Sequence, residues 1–293
     1  MPSPRTIVLP DGRRLAYDDV GDPDGVPVAF HHGTPDSRRA RHPDDALAAE
    51  AGVRLLAVDR PGIGGSDPHP ARTLGSFADD LAVLADALDV ERLGALAWSA
   101  GATSALAFAA RHPDRAADVV VAAGLVPFEA MAEPGLLDDA DGGRHLIAEL
   151  GASLGPSGAA ELAVPMLAPS PCDDALALEH VLEGADPTRR AVLTSIPGAA
   201  RALADGVVDA VAQGPGGLHR EVELQIDAPD VDWSAVAVRV ELVYGALDAT
   251  APPAFGRWWA RALPHAELRI LADEGHLLAL TRWRELLATA ARR

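Results

Sequence analysis

Ala97-Trp98-Ser99-Ala100-Gly101 decides the reading of this chain, because its serine stands between an apolar strand and an apolar helix. Leu93 to Trp98 reads as a buried strand, and Ala100 to Arg111 as a helix with almost no charge before its end. A serine at such a junction occupies a sharp turn with strained backbone, and small neighbours let strand and helix close together around it. Its hydroxyl is then presented above the sheet.

Three further segments appear in an order that gives this serine partners. His31-His32-Gly33-Thr34-Pro35 follows the apolar run Val26 to Phe30 and is a loop at a strand's C-terminal end. Asp248 closes Tyr244-Gly245-Ala246-Leu247-Asp248, after the strand Val238 to Tyr244. His276 closes Asp273-Glu274-Gly275-His276, after the strand Glu267 to Leu271. Ser, then Asp, then His, each after a strand, is the chain order of one hydrolase architecture. Ser99 is a poor nucleophile while its hydroxyl is protonated. His276 is the candidate base that takes that proton and returns it to the leaving group, and Asp248 the candidate acid that fixes the imidazole's tautomer. Asp273 and Glu274 compete for the acid role, but they share a loop with His276 and are poorly placed to reach its far nitrogen.

On these residues the sequence resembles the α/β-hydrolase fold family, in the branch with an HG-x-P oxyanion loop and a helical cap. The resemblance covers most of the chain: the HGTP loop, Asp59-Arg60-Pro61-Gly62-Ile63-Gly64-Gly65-Ser66, the serine turn, and the YGxxD and EGH segments. It implies an α/β fold with a mostly parallel central sheet, helices on both faces and an inserted all-helical cap. It also implies that the backbone N–H groups of Thr34 and Ala100 form an oxyanion hole, with Pro35 helping to fix the loop. One departure stands out: the family's serine turn usually opens with glycine, and Ala97 takes that place. Asp59, Arg60 and Ser66 are expected to hold a structural turn, His32 to buttress the oxyanion loop or reach the substrate pocket, and Trp98 to line the acyl pocket or fill the core.

The pattern along the chain agrees with this architecture. Arg5 to Val20 alternates apolar and polar residues around Asp11-Gly12, a hairpin signal. Strands and helices then alternate: Val26 to Phe30, Arg38 to Ala51, Arg54 to Val58, Leu74 to Leu88, Leu93 to Trp98, Ala100 to Arg111 and Ala117 to Ala123. Such alternation implies a parallel sheet covered on both faces, reactive at the C-terminal ends of its strands. After Pro127 the strand pattern disappears for about a hundred residues. Helical stretches at Leu136 to Leu150, Asp174 to Leu182 and Arg189 to Gln213 are separated by breaks at Gly151, Gly155-Pro156, Pro169 to Pro171 and Gly214-Pro215-Gly216-Gly217. The expected division is a core of residues 1–126 and 231–293 and a cap of residues 127–230, inserted between the sixth and seventh strands.

Composition narrows the chemistry further. The 293 residues suffice for one large α/β domain with an insertion. All 25 basic residues are Arg, so Schiff-base chemistry, a lysine-anchored pyridoxal cofactor and a P-loop are excluded. Cys172 is the only cysteine, and the ten histidines show no HExxH-like spacing, so neither a disulfide nor a metal site is expected. A formal net charge of -18 argues against nucleic acid or an anionic membrane surface as partner. Residues 127–230 carry 18 acidic residues against 5 Arg and hold most of that excess, as a solvated acidic face. Met1 to Arg5 runs directly into a strand-like segment without an apolar core, so no signal peptide is visible and a cytoplasmic location is expected. Leu93 to Ala110 is uncharged and of transmembrane length, but its glycines, serines and threonine suit a buried strand-turn-helix better.

These readings converge on a serine hydrolase without cofactor or metal, cleaving an ester, lactone or related acyl bond of a small, largely apolar molecule. Relatives use the same residues for carbon–carbon bond hydrolysis, perhydrolysis and aminopeptidase action. The aminopeptidase branch usually has glycines after the HG and a Trp after the nucleophile, where this chain has Thr34 and Ala100. A ligand receptor on the same fold is the alternative from a different class.

Overall fold

The computed structural model describes residues 4–170 and 172–292. Met1 to Ser3 and Pro171, the last residue of one expected break, lie outside them. Eight strands form one sheet in the order β1-β2-β4-β3-β5-β6-β7-β8. β1 (Arg5–Val8) and β2 (Arg14–Gly21) make the expected hairpin, and β2 runs antiparallel to β4 (Val53–Val58). β3 (Val26–His31), β4, β5 (Leu93–Trp98), β6 (Ala116–Ala122), β7 (Val240–Gly245) and β8 (Ala266–Leu271) are mutually parallel.

Strand order reverses around β3, which has β4 on one side and β5 on the other. Connections leaving β3 and β5 therefore diverge to opposite sides, opening a crevice above their C-terminal ends, where ligands bind in open α/β sheets. His31 to Pro35 leaves β3 at that crevice and Ser99 leaves β5. The location follows from topology alone.

Every residue of β5 is buried, as a strand covered on both faces requires. The uncharged run from Leu93 is β5 followed by α3 (Gly101–Arg111), inside the core. Among the described residues, no single helix is long and apolar enough to cross a membrane. The expected helix from Arg38 to Ala51 is broken. Ser37 caps a single turn at Arg38–Ala40, and α1 is only Ala46–Glu50. Pro43 lies between them, lacking an N–H and restricting His42. α2 (Leu74–Ala87) begins with a reciprocal cap between Thr73 and Ser76.

Between β6 and β7 the described chain is helical apart from turns and connecting loops. α4 (Gly142–Leu167) starts where the Asp141 side chain accepts a hydrogen bond from Arg144 N, six residues later than Leu136 predicts. Its helical geometry is interrupted at Gly155, whose φ of 68° and ψ of -177° are non-helical, so a break falls at the expected Gly155-Pro156, whereas Gly151 lies within the first arm. α5 (Asp174–Glu183) matches its expectation closely. The long helix expected from Arg189 is two, α6 (Pro187–Ser195) and α7 (Ala199–Val211), parted by Pro197-Gly198. α8 (Gly216–Ile226) was not expected, because its opening glycines look like a break. Gly217 instead serves close packing: a Cβ there would stand 2.1 Å from Gly62 O. α9 (Pro253–Ala262), α10 (Leu278–Thr281) and α11 (Trp283–Ala290) complete the chain, with α9 and α11 packed on the sheet.

At Gly101, which opens α3, a Cβ would stand 2.2 Å from His31 O, a backbone atom that cannot swing away. Alanine in a helix is worth about 1 kcal/mol over glycine, whereas overpacking costs about 1–3 kcal/mol. Gly101→Ala should therefore destabilise the protein in urea unfolding, against its helix propensity; an increase in stability would show that helix and strand are not so tightly apposed.

Candidate active site

Ser99 has a φ of 56°, the left-handed region in which a residue with a Cβ is strained. Its backbone is held on both sides. Ser99 N donates to Ala122 O at 3.1 Å, and its carbonyl accepts from Ala102 N at 3.1 Å and Leu125 N at 3.0 Å. Ala97, in place of the family's usual glycine, is fully buried and keeps register with His31 on β3 and Val121 on β6. The turn forms with that extra methyl in place.

The turn aims Ser99 at His276. Ser99 Oγ is 3.1 Å from His276 Nε2, and His276 Nδ1 is 2.9 Å from Asp248 Oδ2. Asp248 Oδ1 accepts from Thr250 N and Ala251 N, both at 2.9 Å, so its carboxylate is fixed in the loop after β7. The loop after β8 is tied to β5 through Trp98 Nε1, which donates to His276 O at 2.9 Å. Three residues read separately from the sequence thus form one hydrogen-bonded chain. An imidazole between a hydroxyl and an acceptor carboxylate can take a proton at one nitrogen while the carboxylate holds the N–H at the other. The competing carboxylates lie apart from it: Glu274 is bound by Arg282 and Thr281, and Asp273 is exposed.

The loop after β3 comes to the same place. Arg60 donates from Nη1 to His32 O at 2.6 Å and from Nη2 to Gly33 O at 2.8 Å. In a trans peptide the C=O and the next N–H point in opposite directions, so the grip on Gly33 O also sets the direction of Thr34 N–H. Among the described residues neither Thr34 N nor Ala100 N donates a hydrogen bond within the protein. Arg60 thus does more than hold the turn expected of it. The turn itself rests on Asp59, which accepts from Arg38 and Gly65 N, and on Ser66, which donates to Asp59 O.

Arg60 is itself anchored by the helical insert. Glu221 on α8 accepts from Arg60 Nε at 2.8 Å and from Arg72 Nη2 at 2.5 Å, all three side chains being buried. Burial opposes ionisation of Glu221, but the Arg60 and Arg72 guanidiniums outweigh it and hold the carboxyl down at about 2. At His31 and His32 burial prevails instead: it pushes His31 down to about 3 and His32 well below its ordinary value, so both are neutral. His32 Nδ1 donates to Gly33 O at 2.9 Å, and His31 Nδ1 is 2.9 Å from Ser104 Oγ.

Ser99, Trp98, Thr34 and His276 face a cavity of about 460 Å³ roofed by α4, α5, α6 and α7. His32 is fully buried and does not line it. Met166 and Leu167 reach it from α4, but Leu136 and Ile147 are buried elsewhere in the core. The lining is more polar than an apolar substrate calls for: Asp36, Arg144 and Arg189 all contribute. Sequence patterning gave no signal for these three. Asp36 makes no side-chain hydrogen bond among the described residues, and burial pushes its carboxyl up to about 7 against the pull of Arg189, Arg60 and His276. No group of three or more potential metal-binding side chains occurs among the described residues.

A family model described as alpha/beta hydrolase fold matches residues 26–282, so the chain belongs to the alpha/beta hydrolase fold family. It is 34% identical over 124 residues to a non-heme chloroperoxidase of Streptomyces lividans, a match covering 42% of this chain and 45% of that one. It is 33% identical over 124 residues to a proline iminopeptidase of Xylella fastidiosa, covering 39% and 37% respectively. The chain thus matches less than half the length of these curated relatives. Across the whole fold, an esterase from Rhodococcus sp. ECU1013 superposes with a TM-score of 0.67 at 20% identity, over 98% of each chain.

Two pH-dependent outcomes follow from the buried carboxylates. Glu221 is more acidic folded than unfolded, so its stabilisation is complete above about pH 4.5 and is lost as pH falls toward 2. Glu221→Gln should cost about 3 kcal/mol at pH 7 and shrink the acid-induced loss between pH 4.5 and 2; equal loss in both proteins by urea titration would contradict the pairing. Asp36 is shifted the other way, so the native state binds its proton more tightly and stability declines as pH rises from about 4 to 7. Asp36→Asn should stabilise the protein by about 2 kcal/mol more at pH 8 than at pH 5. A gain independent of pH would show that Asp36 ionises freely.

Proposed function

We propose that this protein is a serine hydrolase that cleaves an ester, lactone or related acyl bond of a small molecule through an acyl-enzyme. The observation that carries the proposal is the hydrogen-bonded chain from Asp248 through His276 to Ser99, with Ser99 on a strained turn facing the cavity. Ser99 Oγ attacks the acyl carbon as its proton passes to His276 Nε2, and Asp248 stabilises the imidazolium. Negative charge on the carbonyl oxygen is met by the free N–H groups of Thr34 and Ala100; such a donor is worth about 3–4 kcal/mol in other hydrolases. The leaving group takes the proton from His276, and water then attacks the acyl-enzyme by the same route in reverse. Nucleophile, base and oxyanion donors all come from the chain, so the proposed chemistry needs no metal ion or cofactor.

The names of the matched relatives, a chloroperoxidase and an iminopeptidase, differ in the bond or acceptor involved. Esterase-like neighbours and the Thr34 and Ala100 positions favour acyl-ester chemistry. The helical insert supplies most of the cavity roof and is the proposed seat of selectivity.

Ser99→Ala should lower kcat/KM for short-chain esters on the order of 10⁴–10⁶-fold with the fold unchanged by circular dichroism. His276→Ala should have a comparable effect. The Ser99→Ala, His276→Ala double variant should be little worse than either single one, because residues acting as a unit lose their effect together. Fully multiplicative losses, or a Ser99→Ala protein that keeps its activity, would overturn the proposal.

A further inference from the structure

Two guanidinium groups in the cavity beside Ser99 have unused donors. Arg144 Nε and Nη1, on the first turn of α4, are buried without a hydrogen-bond partner, and so is Arg189 Nε on α6. Neither side chain makes an ion pair among the described residues. Three buried arginines of this chain are ion-paired by contrast: Arg38 meets Asp59, Asp18 and Asp209, while Arg60 and Arg72 share Glu221. Guanidinium donors buried without partners are costly, and an anionic group entering the cavity would relieve that cost.

The cavity's own carboxylates do not fill this role. Asp141 is committed, one oxygen accepting from Arg144 N at 2.8 Å and the other from Thr250 Oγ1 at 2.7 Å. Glu183 is exposed at the rim, and Asp36 forms no ion pair with Arg189. Planar guanidinium groups match carboxylates with paired N–H donors, and such charge-assisted bonds are stronger than neutral ones.

We propose that the substrate carries a carboxylate remote from its scissile acyl bond, and that Arg144 and Arg189 bind it while the acyl carbon lies at Ser99. The proposal rests on the serine hydrolase reading and names its substrate class. The chemistry is ordinary hydrolysis: Ser99 Oγ forms the acyl bond as the alcohol leaves with a proton from His276, and water then releases the acid and restores the serine. For an ester with that carboxylate on its acyl side, the acid so released is a dicarboxylate.

Three esters of similar size separate the possibilities: monoethyl adipate, ethyl hexanoate and ethyl 6-aminohexanoate end in a carboxylate, a methyl and an ammonium. The acid-to-neutral ratio of kcat/KM should exceed one by about tenfold or more, and Arg144→Gln and Arg189→Gln should each reduce that ratio by about tenfold. Monoethyl succinate and glutarate, with their neutral counterparts, cover other spacings. Arg144→Lys, which keeps the charge but not the fork, should retain part of the preference. Calorimetry on the Ser99→Ala protein supplies a readout without turnover: it should bind monoethyl adipate more tightly than ethyl hexanoate, and adding Arg144→Gln should remove the difference. Ser99→Ala retaining hydrolysis would sink the catalytic reading while leaving this binding comparison intact. Equal binding of acid and neutral ester, a ratio unaffected by either arginine variant at every chain length, or a preference for the ammonium ester would overturn the proposal.

Discussion

Everything at the candidate site depends on holding one residue in an unfavourable backbone conformation. Ser99 at φ 56° carries strain on the order of 1–3 kcal/mol, and it persists because a carbonyl from β6 and two amides farther along the chain fix its peptide groups. Relaxing that turn would drop the hydroxyl toward the sheet and break its contact with His276. Burial of all of β5 and the close approach of α3 to His31 O supply the rigidity. Packing of the core and reach of the Ser99 hydroxyl are one problem, solved by the small residues Ala97, Ala100 and Gly101 around the turn.

A second constraint joins the helical insert to the site. Glu221 lies between Arg60 and Arg72, and Arg60 holds the carbonyls of His32 and Gly33, so a helix beyond β6 bears on the loop beyond β3 through one guanidinium. Buried ion networks of this kind add little net stability over apolar packing, yet losing one member leaves the others uncompensated. The arrangement is therefore better understood as setting geometry than as adding stability. It orients the Thr34 amide and docks α8 with the same set of bonds.

The sequence made the sheet legible because strands buried on both faces read as continuous apolar runs, and the loops after them carry Ser99, Asp248 and His276 in a distinctive order. Helices of the insert were less legible. Gly155-Pro156 does interrupt the helical run, but Gly151 sits inside a helix, and Gly216-Gly217, which has the composition of a break, opens α8 against Gly62. Glycine signals both chain reversal and close approach, and only the three-dimensional neighbour distinguishes them. Arg144, Arg189 and Asp36 left no local signature, since their importance comes from sharing one cavity across α4, α6 and the loop after β3. They share that lining with apolar side chains such as Trp98, Met166, Leu167 and Leu203.

The central claim is that Ser99 is the nucleophile, and the most direct measurement is the position of a covalent adduct. A fluorophosphonate reacts with a serine only where a base activates the hydroxyl and donors receive the developing oxyanion. Intact-mass spectrometry should show one adduct per chain, peptide mapping should place it on Ser99, and the Ser99→Ala protein should remain unlabelled. An adduct on a different serine, or no adduct on a folded wild-type protein, would contradict the account.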